Sequence, residues 1–286
     1  TATTTTATTT ATTTHQFDLQ LEQDGFLRKF DTAAVLWPTG YLLSLCLANP
    51  HDCGIERELV EAARSVVTDH NNNSNSNNSN NTVVAIELGA GIGAPSIVLS
   101  RFLQRRRREQ QRGNNVSDDG GLILATDRAL HALALTKDNA KRANVPLLLA
   151  HVEDHTNLTR LDQVKEQTNQ SNGYAIVLGS SLQGLFDFQT QQPQHMLWRV
   201  LDNLLDRNNP HAIAVLAHVD GAVVPPTQQQ LGTMFECVKR IPGNHFEMQT
   251  RSGDDSDFVI SLYRRRRAVE SIPLEEVETS PTEREL

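Results

Sequence analysis

Long hydrophobic runs are missing from this 286-residue chain, and no stretch approaches the roughly 20 apolar residues of a membrane-spanning helix. No membrane partner is expected. Cysteine is scarce as well: Cys46, Cys53 and Cys237 are too few and too scattered for a disulfide framework or a zinc site. They read as free thiols of a reducing compartment, which gives a cytoplasmic expectation with the nucleus as the alternative. No Lys or Arg precedes Arg28, and the Thr-rich opening from Thr1 to His15 has no apolar segment. It therefore does not read as a secretory signal. An acid-poor, Thr-rich start has some likeness to a plastid transit peptide, but the missing arginines count against it, and a disordered tail is expected. Positive charge is in deficit, 26 Lys and Arg against 34 Asp and Glu for a net charge of −8, which argues against a general nucleic-acid binder. The arginine runs Arg105–Arg108 and Arg264–Arg267 accordingly read as solvated faces. RNA, a phosphate surface or a nuclear importer is the alternative for them.

What is present suffices for one sizeable α/β domain, since 38% of the residues are hydrophobic. The expected plan is a Thr-rich tail over 1–15, a single domain over 16–267 and an acidic flexible tail over 268–286. Low-complexity insertions interrupt the domain at 70–81 and at 104–121, the start of the second extending a helix. Strands are expected at 83–88, 122–126, 146–152, 174–180 and 211–219. Helical spacing fits Pro95–Arg105, Arg128–Ala143, Gln192–Asp206 and Thr227–Lys239, with a further helix opening at Pro38. Alternation of this kind predicts a parallel sheet covered by helices on both faces. The end differs: 244–250 and 257–265 read as two strands around a short Gly/Asp turn, an antiparallel hairpin.

Between the first strand and its helix stands Glu87-Leu88-Gly89-Ala90-Gly91-Ile92-Gly93-Ala94. Such a turn brings backbone close to a ligand, and two ligands fit the pattern. Gly89-x-Gly91-x-x-Ala94 satisfies the dinucleotide fingerprint. An acid followed by three alternating glycines also fits S-adenosylmethionine. Charge separates the two: a pyrophosphate prefers a helix N-terminus without a carboxylate nearby, whereas an ammonium and a sulfonium tolerate Glu87. Asp127, at the end of the second strand, suits ribose hydroxyls in either case, or simply caps the next helix. It follows Glu87 by 40 residues against about 20 in the usual unit, and the 104–121 insertion accounts for the excess.

Three segments, "VVAIELGAGIGAPSIVLS", "ATDRALHALALTKDNAKRAN" and "VLWPTGYLLSLCLAN", together resemble the seven-β-strand, class I methyltransferases that use S-adenosylmethionine. Within that class the likeness is to the methyltransferase-like protein-lysine methyltransferases, over roughly residues 30–265. The resemblance implies a Rossmann-like, mostly parallel sheet of order 3-2-1-4-5-7-6, its last strand antiparallel, with helices on both faces. It implies S-adenosyl-L-methionine as cofactor and a monomer that methylates a protein substrate, on lysine. Glu87, Gly89, Ala90 and Gly91 would hold the methionine portion, Asp127 the ribose and Arg128 the adenine flank. Trp37 and Ser180 would lie near the cofactor, and Asp154 or His155 would cover the adenine in place of the family's Trp-Gly pair.

The family carries Asp-x-x-Tyr after its fourth strand; here Ser181 stands at the acid's position and Gly184 at the aromatic's, with Phe186 and Asp187 just beyond. Ser181 is the candidate catalytic residue, since its hydroxyl can accept a hydrogen bond from the acceptor amine. The same departure leaves a cofactor-binding pseudoenzyme or partner-binding module as the second reading. An NAD-dependent oxidoreductase is the third. His151 and His155, four apart, do not share a helix face where a strand runs into a loop, so no metal is expected. His218 and Asp220 would face the substrate side from the fifth strand, or serve as loop polar groups.

Overall fold

The computed structural model describes residues 36–71, 82–110, 121–180, 182, 192–221, 223, 235–246 and 258–266. Seven strands form one sheet: β1 Val83–Leu88, β2 Leu122–Asp127, β3 Leu147–His151, β4 Ile176–Ser180, β5 Ile213–Val219, β6 Phe235–Pro242 and β7 Phe258–Arg265. Their order is β3-β2-β1-β4-β5-β7-β6. The first five run parallel, and β7 enters antiparallel between β5 and β6. Every residue of β1 and β2 is buried, which is why these strands read as continuous apolar runs rather than alternating ones. The edge strands differ. β3 is partly exposed along its length, and β6 carries Lys239, Arg240 and Pro242 where an open edge needs protection from pairing.

Among the described residues six helices cover the sheet: α1 Pro38–Ala48, α2 Glu56–Asn71, α3 Ala94–Gln110, α4 Leu130–Arg142, α5 Leu158–Gln167 and α6 Gln192–Leu204. Period-two alternation divides each strand between two cores. Ile213, Val215 and Ala217 of β5 pack with Leu42, Leu59 and Phe102 from α1, α2 and α3. Ala214 and Leu216 of the same strand pack on the other face with Leu161 of α5 and Leu201 of α6. Trp198 of α6 is fully buried, its ring 5.0 Å from Phe235 and 4.9 Å edge-on from Tyr263, so α6 is keyed to the antiparallel end of the sheet.

The expected sheet order and the antiparallel last pair are both found, but the partner of β7 is not the expected one. β6 lies at Phe235–Pro242, where a helix over Thr227–Lys239 was expected, and the start of the expected first hairpin strand, 244–246, lies in a 3-10 turn over Gly243–Phe246. Residues 227–234 and 247–257 lie outside the described residues. The misreading has a cause: the register shifts between Cys237 and Lys239, leaving Val238 as an extra residue. A bulge breaks period-two alternation, and Phe235 and the bulged Val238 then mimic helical spacing. Two helices, α2 and α5, were not anticipated. α5 buries Leu161 and Val164, and its N-cap Asn157 accepts a 3.1 Å bond from Arg160 N. α3 runs on to Gln110, so the start of the second insertion is helical, and α2 reaches Asn71 at the first.

Candidate functional site

Because β1 lies between β2 and β4, the C-terminal ends of these strands form one rim. The glycine turn leaves β1 there, and Gly89, Gly91 and Gly93 all have positive φ, 63°, 56° and 81°. Side chains rarely tolerate that region, so the alternation of glycines is what lets the backbone fold this tightly. At Gly93 a Cβ would also come within 2.5 Å of Thr136 Cγ2 on α4. From the same helix Thr136 Oγ1 donates to Gly91 O at 2.6 Å and Asn139 Nδ2 to Ile92 O at 3.1 Å.

The turn's amides are largely spent inside the protein. Ala90 N donates to Thr126 O and Gly93 N to Ala90 O, both at 2.8 Å. Gly91 N donates to Asp127 Oδ2 at 2.8 Å, while Asp127 Oδ1 accepts from Ala129 N at 2.8 Å. Pro95 has no N–H, and Ser96 N donates to Glu87 Oε2 at 3.1 Å. The same oxygen takes a 2.5 Å bond from Ser96 Oγ. Glu87 thus caps α3 from within, wholly buried, and its other oxygen, Oε1, has no partner among the described residues. Burial is the largest influence on it and pushes its carboxyl up to about 8, against the pull of the Ser96 bonds; the nearby Asp127 charge adds to the rise.

Thr126 ties the Glu87 backbone to the segment that follows β3. Its hydroxyl donates to Glu87 O at 2.6 Å and lies 3.0 Å from His155 Nε2. One hydroxyl proton serves one acceptor, so Nε2 of His155 is the donor in the second contact. Nδ1 is then an acceptor, buried and without a partner among the described residues. Burial lowers the imidazole to about 4, so His155 is neutral. A base depressed in the fold contributes stability that is present above the unfolded value of 6.5 and lost as pH falls toward 4. The expected result is that the stability difference between wild type and His155→Gln shrinks by about 3 kcal/mol from pH 7 to pH 4, read by urea denaturation. A constant difference would mean that the ring is charged in the fold.

The remaining expected residues distribute along this rim. Ser180 ends β4, and a Cβ on Gly40 of α1 would stand 3.3 Å from its hydroxyl, so the start of α1 reaches the rim. Trp37 is the N-cap residue of that helix and is 43% exposed. Arg128 is exposed, its carbonyl accepting from His151 Nε2 at 2.9 Å. Asp154 is exposed beyond β3 and holds its own turn, accepting from Thr156 N at 2.8 Å and from Thr156 Oγ1 at 2.7 Å. Those bonds hold its carboxyl below the usual range. Asp154, His151 and Arg160 line a cleft of about 410 Å³ at this outer flank. Ser181, Gln183, Gly184, Phe186 and Asp187 lie outside the described residues. His218 is not open toward the rim: it is buried, with Nδ1 2.8 Å from Val219 O and Nε2 3.1 Å from Ser261 Oγ, and Asp220 pairs with Arg240. No group of three metal-ligating side chains occurs among the described residues, and none of their helices is long and apolar enough to cross a membrane.

No family model matches the sequence, and no curated protein matches it. Solved structures do show likenesses. One is a TehB-like SAM-dependent methyltransferase from Corynebacterium glutamicum, 12% identical, covering 74% of this chain and 99% of that one with a TM-score of 0.37. An rRNA methylase from Streptococcus thermophilus is 12% identical over 66% of this chain and 89% of its own, with a TM-score of 0.39. The fibrillarin pre-rRNA processing protein of Methanococcus jannaschii is 12% identical over 65% and 67%, with a TM-score of 0.40.

Proposed function

We propose that this chain is an S-adenosylmethionine-dependent methyltransferase whose acceptor is a protein side chain, lysine. The spent glycine turn carries the reading: the amides a pyrophosphate would seek already donate inward, those of Gly91 and Ser96 to carboxylates. A turn backed by Glu87 and Asp127 suits a ligand bearing positive charge. Two atoms beside it without a partner among the described residues add to the fit: His155 Nδ1 can accept from an adenine amine, and Glu87 Oε1 from an ammonium once the acid gives up its proton.

Bound S-adenosylmethionine supplies a methyl group activated on sulfonium. Gly89, Ala90, Gly91 and Glu87 would hold its methionine portion and Asp127 its ribose, with Arg128 and Asp154 at the adenine flank. Trp37 and Ser180 would border it from α1 and β4. In-line transfer needs a neutral amine aligned with the methyl carbon, so the chain's task is mainly positioning and removing water. Ser181 is the group proposed to orient that amine by accepting its hydrogen bond. A non-catalytic, cofactor-binding role is the second reading, favoured by Ser181 and Gly184 standing where Asp-x-x-Tyr would be expected.

Calorimetric titration with S-adenosylhomocysteine and with NAD tests the cofactor. Binding of S-adenosylhomocysteine and not NAD is expected, and binding of NAD alone would overturn both readings. Labelled methyl incorporation into a cell extract then separates them. Label on lysine of a protein supports the enzyme, label in RNA overturns the protein acceptor, and no label favours the pseudoenzyme.

A further inference from the structure

At the opposite end of the sheet from the glycine turn, three arginines of β7's end meet the loop that enters β5. Arg264 pairs in register with Ile213, the first residue of β5, so this end is a full strand of seven residues away from the rim, about 20 Å. A cleft of about 390 Å³ opens there, lined among others by Arg207, Asn209, Pro210, Arg264, Arg265 and Arg266. Its size falls in the range of small-molecule sites. Its floor is rigid, because Asn209 is buried, donating to Ala62 O at 3.0 Å and accepting from His211 N at 2.8 Å.

The four guanidinium groups have unequal partners. Arg265 is fully committed: it bonds Asp202 Oδ1 at 2.9 Å and Leu205 O at 3.0 Å, and also reaches Asp202 O. Arg207 makes only a 3.4 Å contact with the same Asp202, and Arg266 a 3.5 Å contact with Glu236; their side chains are 70% and 54% exposed. Exposed pairs at such distances exchange readily for a better anion. Arg264 stands apart. It is half-buried, its Nε is shut off from solvent, and no acceptor meets it among the described residues. A buried charged donor without an acceptor is a cost the fold carries unless something outside the described residues satisfies it.

We infer that this cleft is a binding site for a small phosphorylated anion, with Arg264 at its centre and Arg207 and Arg266 on its rim. A planar fork that cannot lose its proton recognises phosphoryl oxygens two at a time. Three guanidinium groups suit an anion with at least three acceptor oxygens, which favours phosphoryl over a single carboxylate. The chain's net charge of −8 favours a compact anion over a long polyanion. The site stands whatever cofactor the glycine turn takes.

Titration of the full chain with sodium pyrophosphate, inorganic phosphate and citrate, at ionic strength matched with sodium chloride, tests it by calorimetry and thermal shift. Pyrophosphate is expected to bind and raise Tm, with inorganic phosphate following more weakly and citrate and chloride adding nothing. Arg264→Gln should weaken pyrophosphate binding at least tenfold. Arg264→Lys, which keeps the charge without the fork, should fall between. Should Arg264→Gln fail to fold, the exposed double variant Arg207→Gln/Arg266→Gln decides, with an expected loss of several-fold at unchanged circular dichroism. Equal responses to pyrophosphate and chloride would overturn the site, as would wild-type affinity in the variant that decides. Competition of pyrophosphate with S-adenosylhomocysteine would also overturn it, because the anion would then be sitting at the glycine turn.

Discussion

Glu87→Gln is expected to make the protein more stable, and increasingly so as pH rises. The wild-type carboxyl titrates near 8 in the fold and near 4.5 when unfolded, because burial opposes its charge more than the Ser96 bonds favour it. Between those values the folded state holds a proton that the unfolded state releases, so wild-type stability falls as pH climbs from 4.5 through 8. The full loss is about 5 kcal/mol above pH 8, and about 3 kcal/mol of it is in place at pH 7. Gln keeps the shape and an oxygen for Ser96 and never has to ionise. Its advantage over wild type should therefore be small near pH 5 and reach several kcal/mol by pH 8.5, read as paired urea midpoints. A difference that stays flat across this range would show that Glu87 is ionised throughout. The same variant should weaken S-adenosylhomocysteine binding. A cationic ammonium near Glu87 favours the carboxylate, so binding to wild type should release a proton between pH 6 and 8, visible as a buffer-dependent calorimetric heat. A site selected for stability alone would not keep a buried acid here.

Much of this fold is legible in the sequence because its central strands are buried on both faces. β1, β2, β4 and β5 each form an apolar run bounded by polar or turn residues, and the crossover helices between them repeat at 3.6-residue spacing. The antiparallel end was legible in kind but not in register, since the unpaired Val238 hides the alternation of β6. α5 escaped notice because its apolar face is only Leu158, Leu161 and Val164 within a polar segment. At the candidate site, Glu87, the three glycines and Asp127 stood out by their places at the ends of β1 and β2, and the structure brings them together at one turn. Ser96, Thr136, Asn139 and His155 did not. Their roles come from side chains reaching across 9 to 47 positions to satisfy the turn, and linear spacing holds no trace of such contacts. Glu87 itself illustrates the limit: its type and place suggested charge facing a ligand, whereas its burial makes it a neutral acid until something cationic arrives.

Asp127→Asn should cost the chain its cofactor while leaving it folded. The aspartate accepts from Gly91 N with Oδ2 and from Ala129 N with Oδ1, both at 2.8 Å, so each of its two oxygens faces a backbone donor. Asn offers one oxygen and one NH2 group. Whichever way its amide is turned, a donor faces a donor, at the glycine turn or at the start of α4. The turn is then released from β2, although Thr136 and Asn139 still hold it from α4. Loss of a charge-assisted bond and of the proposed ribose acceptor together predicts at least a 100-fold weaker affinity for S-adenosylhomocysteine, about 3 kcal/mol. Stability should fall by only about 1–2 kcal/mol. Calorimetry against S-adenosylhomocysteine, with faster hydrogen exchange at the Gly91 amide, separates this from general unfolding. Gly91→Arg offers the contrast: it forces a side chain onto a backbone at φ 56° and fills the turn, so binding should vanish with a larger drop in Tm. If Asp127→Asn binds within threefold of wild type, the carboxylate serves the turn alone and the ligand's ribose lies elsewhere. If it loses binding while Gly91 exchange is unchanged, Asp127 holds the ligand directly, and its bond to the turn is incidental to affinity.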